Sequence, residues 1–189
     1  MDKESKELFP IKRNQNLKTL YLLRHGKSDW ESDFNSDHER GLAKRGIEST
    51  KRVGQYLLDY GFSVDLCLCS DAVRCRKTWE LLLEMENFAD ETSYKKEIYE
   101  ASSDKLFEII KNTNDETESL LVLGHNPGLE ELAEYLVLGD NLDELHNSLF
   151  AKFPTAAFLG LSLSVDSWHD ITPGHASIIS YWVPGRKGR

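Results

Sequence analysis

Apolar residues occur along this chain in short uninterrupted runs, which alternate with longer segments where they recur at helical spacing. The run at 19–23 consists of apolar, aromatic and β-branched residues and predicts a buried strand, because no charged residue interrupts it. Similar runs at 64–70 and 120–124 predict two further buried strands. Shorter or more polar patterns predict the remaining strands, at 95–99, 156–165 and 176–183.

Segments with helical spacing of apolar residues follow most of these runs. Residues 42–60 carry apolar side chains at near-helical intervals, which places Ile47 and Tyr60 on the predicted buried side. In the next helix, Leu83 is expected on the buried side as well. The predicted helices cover 42–60, 72–85, a segment capped by Ser102 or Ser103 that continues to 110, 129–138 and 142–150.

The order of these elements predicts the fold class. A strand followed by a helix occurs three times, and hairpin-like strands come afterwards. This order predicts a three-layer α/β/α sandwich with a mostly parallel mixed sheet. No internal repeat, low-complexity tract or linker divides the chain. We therefore expect a single domain at 17–184, with a polar N-terminal arm at 1–16 and a basic C-terminal end at 185–189.

Composition narrows the possible partners and locations. The chain has 189 residues and is 40% hydrophobic, which suffices for one domain with a sizeable core. Its net charge of −9 would repel a phosphate backbone, so we expect no nucleic-acid partner. No apolar stretch has the length of a membrane span, and no signal-peptide pattern is present. We expect a cytoplasmic monomer, and an organellar location after loss of a targeting peptide stays open.

The cysteines and most of the histidines give no sign of a metal site. Cys67, Cys69 and Cys75 form an odd-numbered set in apolar surroundings, which is typical of a reduced intracellular protein. Their spacing is not that of a zinc site, so we expect neither a metal ion nor another cofactor. The histidines interpreted as surface groups are His38, His146 and His169, and His175 is interpreted as a turn residue.

Chemically capable residues follow three of the predicted strands directly. Arg24, His25 and Gly26 follow the first strand, residues 70–78 begin at the last residue of the second, and residues 124–128 begin at the last residue of the strand at 120–124. Parallel strands deliver their carboxyl ends to one edge of a sheet, so these groups are expected to meet. A site with two arginines, a histidine and an open helix N-terminus would suit transfer of a phosphoryl group to histidine.

These three motifs resemble those of the histidine phosphatase superfamily, which has the phosphoglycerate mutase-like fold. Arg24-His25-Gly26 is similar to the superfamily signature, and the extension to Trp30 is similar to its SixA-type phosphohistidine phosphatases. Ser70-x-x-x-Arg74-x-x-x-Thr78 is similar to the second motif of the family. The third motif is matched by Gly124-His125-Asn126-Pro127-Gly128, and the closing segment of the SixA branch by residues 153–157 and Trp168.

The resemblance implies roles for individual residues. His25 would attack phosphorus and carry the phosphoryl group, and water would then hydrolyse the phosphohistidine. Arg24, Arg74 and His125 would hold the phosphoryl oxygens, with His125 protonated in the presence of a substrate dianion. Asn126 would donate a further hydrogen bond to the phosphate, or it would serve only to form the turn before the proline.

Two segments depart from the pattern that this family shows. Many members use a glutamate to protonate an alcohol leaving group, and this sequence has no clear equivalent of it. Glu100 is the one candidate, although its interpretation as a surface carboxylate is favoured. The segment 40–46 begins Arg-Gly-Leu-Ala where the branch has Arg-Pro-Leu-Thr, and this departure concerns the start of the following helix and not the chemistry.

The expected function is therefore that of a SixA-like phosphatase acting on a phosphorylated substrate, with a phosphohistidine protein as the favoured one. A general phosphomonoesterase acting on small sugar phosphates or phosphoproteins is the alternative. Mutase activity is less favoured because the chain has no long insertion to hold a bisphosphate. A metal-dependent hydrolase would need carboxylates at ligand spacing from His25 and His125, and the sequence has none there. A phosphate-binding module without activity would keep the arginines and lack one of these two histidines, whereas both are present.

Overall fold

The computed structural model describes residues 17–137, 153–174 and 176–185. The predicted N-terminal arm at 1–16, the predicted helix at 142–150, His146, His175 and most of the predicted basic end lie outside the described residues.

A single mixed sheet of six strands forms the centre of the described structure. The strand order is β3-β2-β4-β1-β5-β6, and β1 to β4 run parallel to one another. Strand β5 pairs antiparallel with β1, and β6 pairs antiparallel with β5. The strands are β1 (Lys18–Arg24), β2 (Val64–Ser70), β3 (Ala89–Lys95), β4 (Ser119–Gly124), β5 (Phe158–Leu163) and β6 (Ala176–Trp182).

Helices cover both faces of this sheet, as predicted for a three-layer sandwich. Helices α1 and α2 contribute to the apolar core on one face, and α3 and α4 contribute to the core on the other. The described helices are α1 (Lys44–Asp59), α2 (Val73–Leu83), α3 (Ser103–Lys111) and α4 (Gly128–Val137), and none is long and apolar enough to cross a membrane. Short 3-10 turns lie at Asp37–Glu39, Lys96–Ile98 and Trp168–Asp170.

The central strands are buried on both faces, which explains their uninterrupted apolar runs. In β1, Leu20 and Leu22 enter one core, whereas Tyr21 and Leu23 enter the other. Successive side chains of a strand point to opposite faces, so a strand between two helical layers needs apolar residues at every position. The strands predicted at 19–23, 64–70 and 120–124 are confirmed.

The strand predicted at 95–99 is wrong. Strand β3 ends at Lys95, and the residues after it form the turn Lys96–Ile98, in which Ile98 is buried in the core. Strand β3 pairs only with β2 at the edge of the sheet, and several of its side chains are exposed. An edge strand of this kind carries polar residues and lacks the continuous apolar run of a buried strand.

Three side chains expected on buried helix faces are exposed. The buried face of α1 contains Gly46 and Thr50. Each residue of a helix is rotated by about 100° from the one before it, so Ile47, directly after Gly46, points away from that face and is exposed. Tyr60 follows the end of α1, and Leu83 is the last residue of α2, so both side chains lie at helix ends, where they are partly exposed. The predicted cap of α3 is confirmed, because the Ser102 side chain accepts a hydrogen bond from the Lys105 N–H.

The start of α1 packs closely against the residues that follow β1. A Cβ atom on Gly26 would lie 2.8 Å from the carbonyl oxygen of Gly46, and a Cβ atom on Gly46 would overlap the carbonyl oxygen of Lys27. The Ala43 N–H donates to that same Lys27 carbonyl at 2.9 Å. The absence of side chains at positions 26 and 46 therefore allows the first turn of α1 to lie directly beside the end of β1.

Helix α1 begins without a side-chain cap, so a hydroxyl at its N-cap should stabilise the protein. Ala43 is the N-cap residue and has the extended backbone that capping requires, with φ −68° and ψ 160°. We expect Ala43→Thr to raise the free energy of unfolding by about 1 kcal/mol relative to Ala43→Val, which has the same shape without the hydroxyl. Urea denaturation measures the difference, and equal stability of the two variants would show that the hydroxyl caps nothing.

Candidate active site

The three predicted motifs meet at one edge of the sheet. Strand β4 lies between β1 and β2, and the register places Arg24 opposite Gly124 and Cys69 opposite Leu123. The residues that follow these strands therefore emerge side by side, and the His25 N–H donates to the Gly124 carbonyl at 3.3 Å. The structure thus brings together His25, Arg24, Arg74 and His125, as the sequence predicts.

The contacts of the His25 ring define which nitrogen carries the proton. Its Nδ1 lies 2.7 Å from the carbonyl oxygen of Gly26, and its Nε2 lies 3.3 Å from Nε of Arg74. A carbonyl oxygen only accepts and a guanidinium only donates, so Nδ1 carries the proton and Nε2 keeps its lone pair. The lone pair of His25 therefore faces the cationic side chain of Arg74.

The charge state of His25 follows from its surroundings. Burial is the largest cause that lowers the pKa of the imidazole, and with the positive charges of Arg74, Arg24 and Arg40 it brings that pKa to about 3, against the opposing effect of the Gly26 hydrogen bond. His25 is therefore neutral at physiological pH, which is the form of an imidazole that acts as a nucleophile.

His125 lies beside His25, with ring centroids 5.0 Å apart. Its Nε2 lies 2.8 Å from Oγ of Ser70 and 3.5 Å from Sγ of Cys75, whereas its buried Nδ1 has no hydrogen-bond partner. Burial and the nearby His25 and Arg74 lower the pKa of His125 to about 2, so it is neutral in this structure. A neutral His125 can still donate from Nδ1 when the Ser70 hydroxyl donates to Nε2.

The two arginines are each held by oxygen atoms of the chain. Arg24 donates from Nη1 to the Phe153 carbonyl at 2.7 Å, and its buried Nε has no partner. Arg74 donates from Nη1 to the Asp37 carbonyl at 2.7 Å, and its Nη2 lies 3.1 Å from Oδ2 of the same aspartate. An unpaired buried donor costs about 1–3 kcal/mol, and both Arg24 Nε and His125 Nδ1 would gain a partner from a bound anion.

The second motif is tied to the first by Thr78. Its Oγ1 accepts a hydrogen bond from the Gly26 N–H at 3.0 Å and donates to the Arg74 carbonyl at 2.7 Å. Thr78 therefore fixes helix α2 to the backbone directly after His25. Arg74 lies one helical turn before Thr78 on the same helix, so its position relative to His25 is fixed as well.

Asn126 makes contacts typical of a positioning residue. Its Nδ2 donates to Oε2 of Glu130 at 2.7 Å and to the Phe153 carbonyl at 3.0 Å. Both amide protons are engaged in this arrangement, which favours the turn-forming role over donation to a substrate. The predicted phosphate contact of Asn126 stays a prediction.

Glu100 lies outside the cluster of site residues described above. Its side chain is exposed, and its backbone has a left-handed φ of 51° after the turn that precedes α3. In the described part of the chain, no hydrogen bond or ion pair joins its carboxylate to His25 or His125. Its predicted role as a general acid stays a prediction, and its exposure favours the surface interpretation.

The structure adds residues that the sequence patterns did not indicate. Asp37 contacts Arg74, and the Tyr99 hydroxyl donates to Oδ2 of Asp37 at 3.1 Å, while the Tyr99 ring lies 5.5 Å from that of His125. His38, expected at the surface, is half-buried and pairs with Asp71 at 2.8 Å. These residues belong to a polar loop and a short turn, where no periodicity marks a functional side chain.

The described residues show no group of three or more histidine, cysteine, aspartate or glutamate side chains that could hold a metal ion. Cys67, Cys69 and Cys75 are buried free thiols, as the sequence predicts. Burial raises the pKa of all three thiols. They are therefore protonated at neutral pH, and the thiolate form that binds metals or attacks as a nucleophile is disfavoured.

Known proteins resemble this chain over most of its length. An uncharacterized protein of Mycobacterium tuberculosis is 32% identical over 163 residues, which cover 86% of this chain and 99% of that protein. Two solved structures carry the provisional name phosphohistidine phosphatase SixA. The one from Agrobacterium tumefaciens is 29% identical with a TM-score of 0.74, and the alignment covers 88% of this chain and 98% of that one. The one from Nakamurella multipartitia is 24% identical with a TM-score of 0.76, covering 90% and 98%.

The family model of the histidine phosphatase superfamily (branch 1) matches residues 20–117, just over half of the chain. This range contains the first two motifs, and the third follows it at the same edge of the sheet. The chain therefore belongs to the histidine phosphatase superfamily and resembles its SixA-type members.

Proposed function

We propose that this protein removes phosphoryl groups by way of a phosphohistidine on His25, and that its substrate is a phosphohistidine in a protein. The observation that carries the proposal is the orientation of His25. Its proton is fixed on Nδ1 by the Gly26 carbonyl, and its neutral Nε2 faces Arg74. A phosphatase nucleophile requires a free lone pair next to groups that attract the phosphoryl oxygens.

In the first proposed step, Nε2 of His25 forms a bond to phosphorus while the bond from phosphorus to the leaving atom breaks. The imidazole becomes cationic, and the Gly26 carbonyl stabilises it by accepting from Nδ1. Arg74 Nε exchanges its contact with the lone pair for a phosphoryl oxygen. Arg24 Nε and His125 Nδ1, both unpaired in this structure, donate to the other oxygens.

In the second proposed step, water attacks phosphorus and the bond to Nε2 breaks. Phosphate then leaves, and His25 returns to its neutral form with the proton still on Nδ1. The three donors hold the phosphoryl oxygens in both steps, because the charge on these oxygens is similar in the two transition states.

The leaving group favours a phosphohistidine substrate. A phosphohistidine ring that is protonated at its other nitrogen departs as neutral imidazole and takes no proton from the enzyme. The carboxylates close to the site are committed elsewhere, because Asp37 pairs with Arg74 and Asp71 pairs with His38. The names of the two SixA-type neighbours support the same substrate class.

A general phosphomonoesterase remains the second candidate. An alkoxide leaving group needs a proton, and Glu100 follows Tyr99, whose ring borders His125. A rearrangement of this exposed residue towards the leaving atom would supply the acid that the first candidate does not need.

Replacement of His25 should abolish turnover. In His25→Asn the nucleophilic lone pair is absent, so neither product nor acid-labile phosphoenzyme should form with a phosphohistidine peptide or an aryl phosphate. Rapid acid quench with labelled substrate measures the phosphoenzyme. The matched control is His169→Asn. His169 is exposed and belongs to none of the three motifs, so this variant should behave as the wild type. Labelled phosphoenzyme in His25→Asn would place the nucleophile elsewhere.

Glu100→Gln should separate the two substrate classes. We expect little loss on a phosphohistidine peptide, because its leaving imidazole needs no acid, and poor wild-type activity on an alkyl phosphate. The rates of wild type, Glu100→Gln and the exposed control Glu97→Gln are compared on both substrates. Efficient alkyl phosphate hydrolysis that falls about 100- to 10,000-fold in Glu100→Gln alone would favour the phosphomonoesterase instead.

The two neutral histidines should make the protein less stable in acid. His25 and His125 have folded-state pKa values of about 3 and about 2, below the ordinary value of 6.5. The unfolded chain therefore binds protons first, so their contribution to stability is complete above pH 6.5 and decreases as the pH falls towards these values. Each histidine should contribute a slope of up to about 1.4 kcal/mol per pH unit.

Urea denaturation between pH 6 and pH 4 measures this slope. The variant His25→Asn should lose about half of the part that the two histidines contribute, whereas His169→Asn should keep all of it. Identical slopes in wild type and His25→Asn would mean that His25 is protonated in the folded protein.

A further inference from the structure

Arg74 is held at one end of its guanidinium group by a single residue, Asp37. Nη1 donates to the main-chain carbonyl of Asp37 at 2.7 Å, and Nη2 lies 3.1 Å from its Oδ2. Asp37 belongs to the 3-10 turn Asp37–Glu39, within the polar loop that connects β1 to α1. The guanidinium is therefore clamped by a loop distant in sequence from α2, the helix that carries it.

This clamp leaves a different edge of the guanidinium for the phosphoryl group. A guanidinium has five N–H groups in one plane, and Nε shares its side edge with one N–H of Nη2. Asp37 occupies the end edge formed by Nη1 and Nη2, whereas Nε on the side edge faces Nε2 of His25. A phosphoryl group on His25 would thus meet the side edge without displacing Asp37.

We propose that Asp37 is the positioning residue that holds Arg74 against the phosphoryl-transfer centre at His25. The catalytic half of the inference rests on the proposed function, whereas the structural half concerns only the pair Asp37 and Arg74. Asp37 acts through Arg74 and does not touch the substrate.

Asp37 is itself held in place from two further directions. Nε of Arg40 donates to Oδ1 at 3.0 Å, and the Tyr99 hydroxyl donates to Oδ2 at 3.1 Å. The guanidinium of Arg40 in turn lies 3.5 Å from the centroid of the Trp30 ring. These contacts restrain the carboxylate from two sides, and a restrained partner fixes a donor more accurately than a mobile one.

The negative charge of Asp37 has a second effect, which acts on the arginines around His25. Arg24, Arg40 and Arg74 surround the neutral His25, and each of them lowers its pKa. Burial raises the pKa of Asp37, but its hydrogen bonds with Arg40 and Tyr99 and the charges of Arg74 and Arg40 outweigh burial and leave it lowered. Asp37 is therefore an anion at neutral pH and offsets the repulsion among the guanidinium groups.

A competing interpretation is that Asp37 acts as an internal anion that blocks Arg74. The two interpretations predict opposite results for a phosphate analogue. A positioning residue strengthens binding of vanadate, so Asp37→Ala should weaken it. A blocking residue competes with vanadate, so Asp37→Ala should strengthen binding.

A double-mutant cycle tests the catalytic half of the proposal. With an aryl phosphate, Asp37→Ala should lower kcat about 10- to 100-fold and weaken vanadate binding, with a smaller change in KM. Asp37→Asn keeps an acceptor oxygen and should lose less. In an Arg74→Ala background, the further effect of Asp37→Ala should be less than about threefold, because the residue through which it acts is gone. Asp33→Ala, an exposed aspartate of the same loop, is the control and should match the wild type.

Two outcomes of this cycle would overturn the proposal. Equal losses from Asp37→Ala with and without Arg74 would show that Asp37 acts independently of it. Tighter vanadate binding in Asp37→Ala would identify Asp37 as a competitor.

The structural half is tested without any substrate. In the wild type, the Arg74 Nε–H resonance should exchange slowly with water, because its guanidinium is buried and fixed at both edges. Asp37→Ala should accelerate that exchange at least about tenfold, whereas Asp33→Ala should leave it unchanged. Unchanged exchange in Asp37→Ala would refute the clamp whatever the enzyme's activity. Faster exchange in a protein that hydrolyses no phosphate compound would instead refute the proposed function and leave the clamp intact.

Discussion

In the register of the central strands, Arg24 of β1 lies opposite Gly124 of β4, and Cys69 of β2 lies opposite Leu123 of the same strand. A shift of this register by one residue would exchange the two faces of the shifted strand and send its side chains into the wrong layer. The same hydrogen bonds that bury the apolar runs therefore fix where the chain leaves each strand. The positions of His25, Arg74 and His125 depend on this pairing.

The converging strand ends bring several arginines into a largely buried site. The positive charge of this site is limited because the histidines stay neutral, and it is offset by nearby carboxylates. Both histidines stay neutral because burial and the neighbouring guanidinium groups oppose their protonation. Asp37 provides an anion beside Arg74 and Arg40, and the charge of Glu130 acts on Arg24 against the effect of its burial. The site can therefore hold its arginines in the absence of substrate and still offer unpaired donors to an anion.

The sequence predicts the parts of this arrangement that depend on long apolar runs and on the residues directly after them. Strands β1, β2 and β4 are buried on both faces, so their sequences are easily recognised. Arg24 ends β1, and His25 and His125 directly follow β1 and β4. Strand β3 lies at an edge, where polar residues are tolerated, so no apolar run marks its position in the sequence.

Asp37 illustrates the other limit of prediction from the sequence. Its loop has no hydrophobic period, and its importance comes from contacts with α2 and with Tyr99, which are 37 and 62 residues away in the sequence. A pattern within the loop cannot indicate such partners. Only the folded arrangement of β1, β2 and the turn before α3 brings them together.

Arg24 and Arg74 are held in the same way, at the end of the guanidinium group that is remote from Nε. Arg24 gives Nη1 to the Phe153 carbonyl and keeps Nε unpaired, and Arg74 gives Nη1 and Nη2 to Asp37 and keeps Nε towards His25. In both, an oxygen of the chain holds the far end of the guanidinium while the Nε–H is left for the site. Asn126 also donates to the Phe153 carbonyl, so the third motif and Arg24 are held by the same acceptor. Donors fixed in this way need little reorganisation when charge develops on a phosphoryl group, which is the main requirement of phosphoryl transfer.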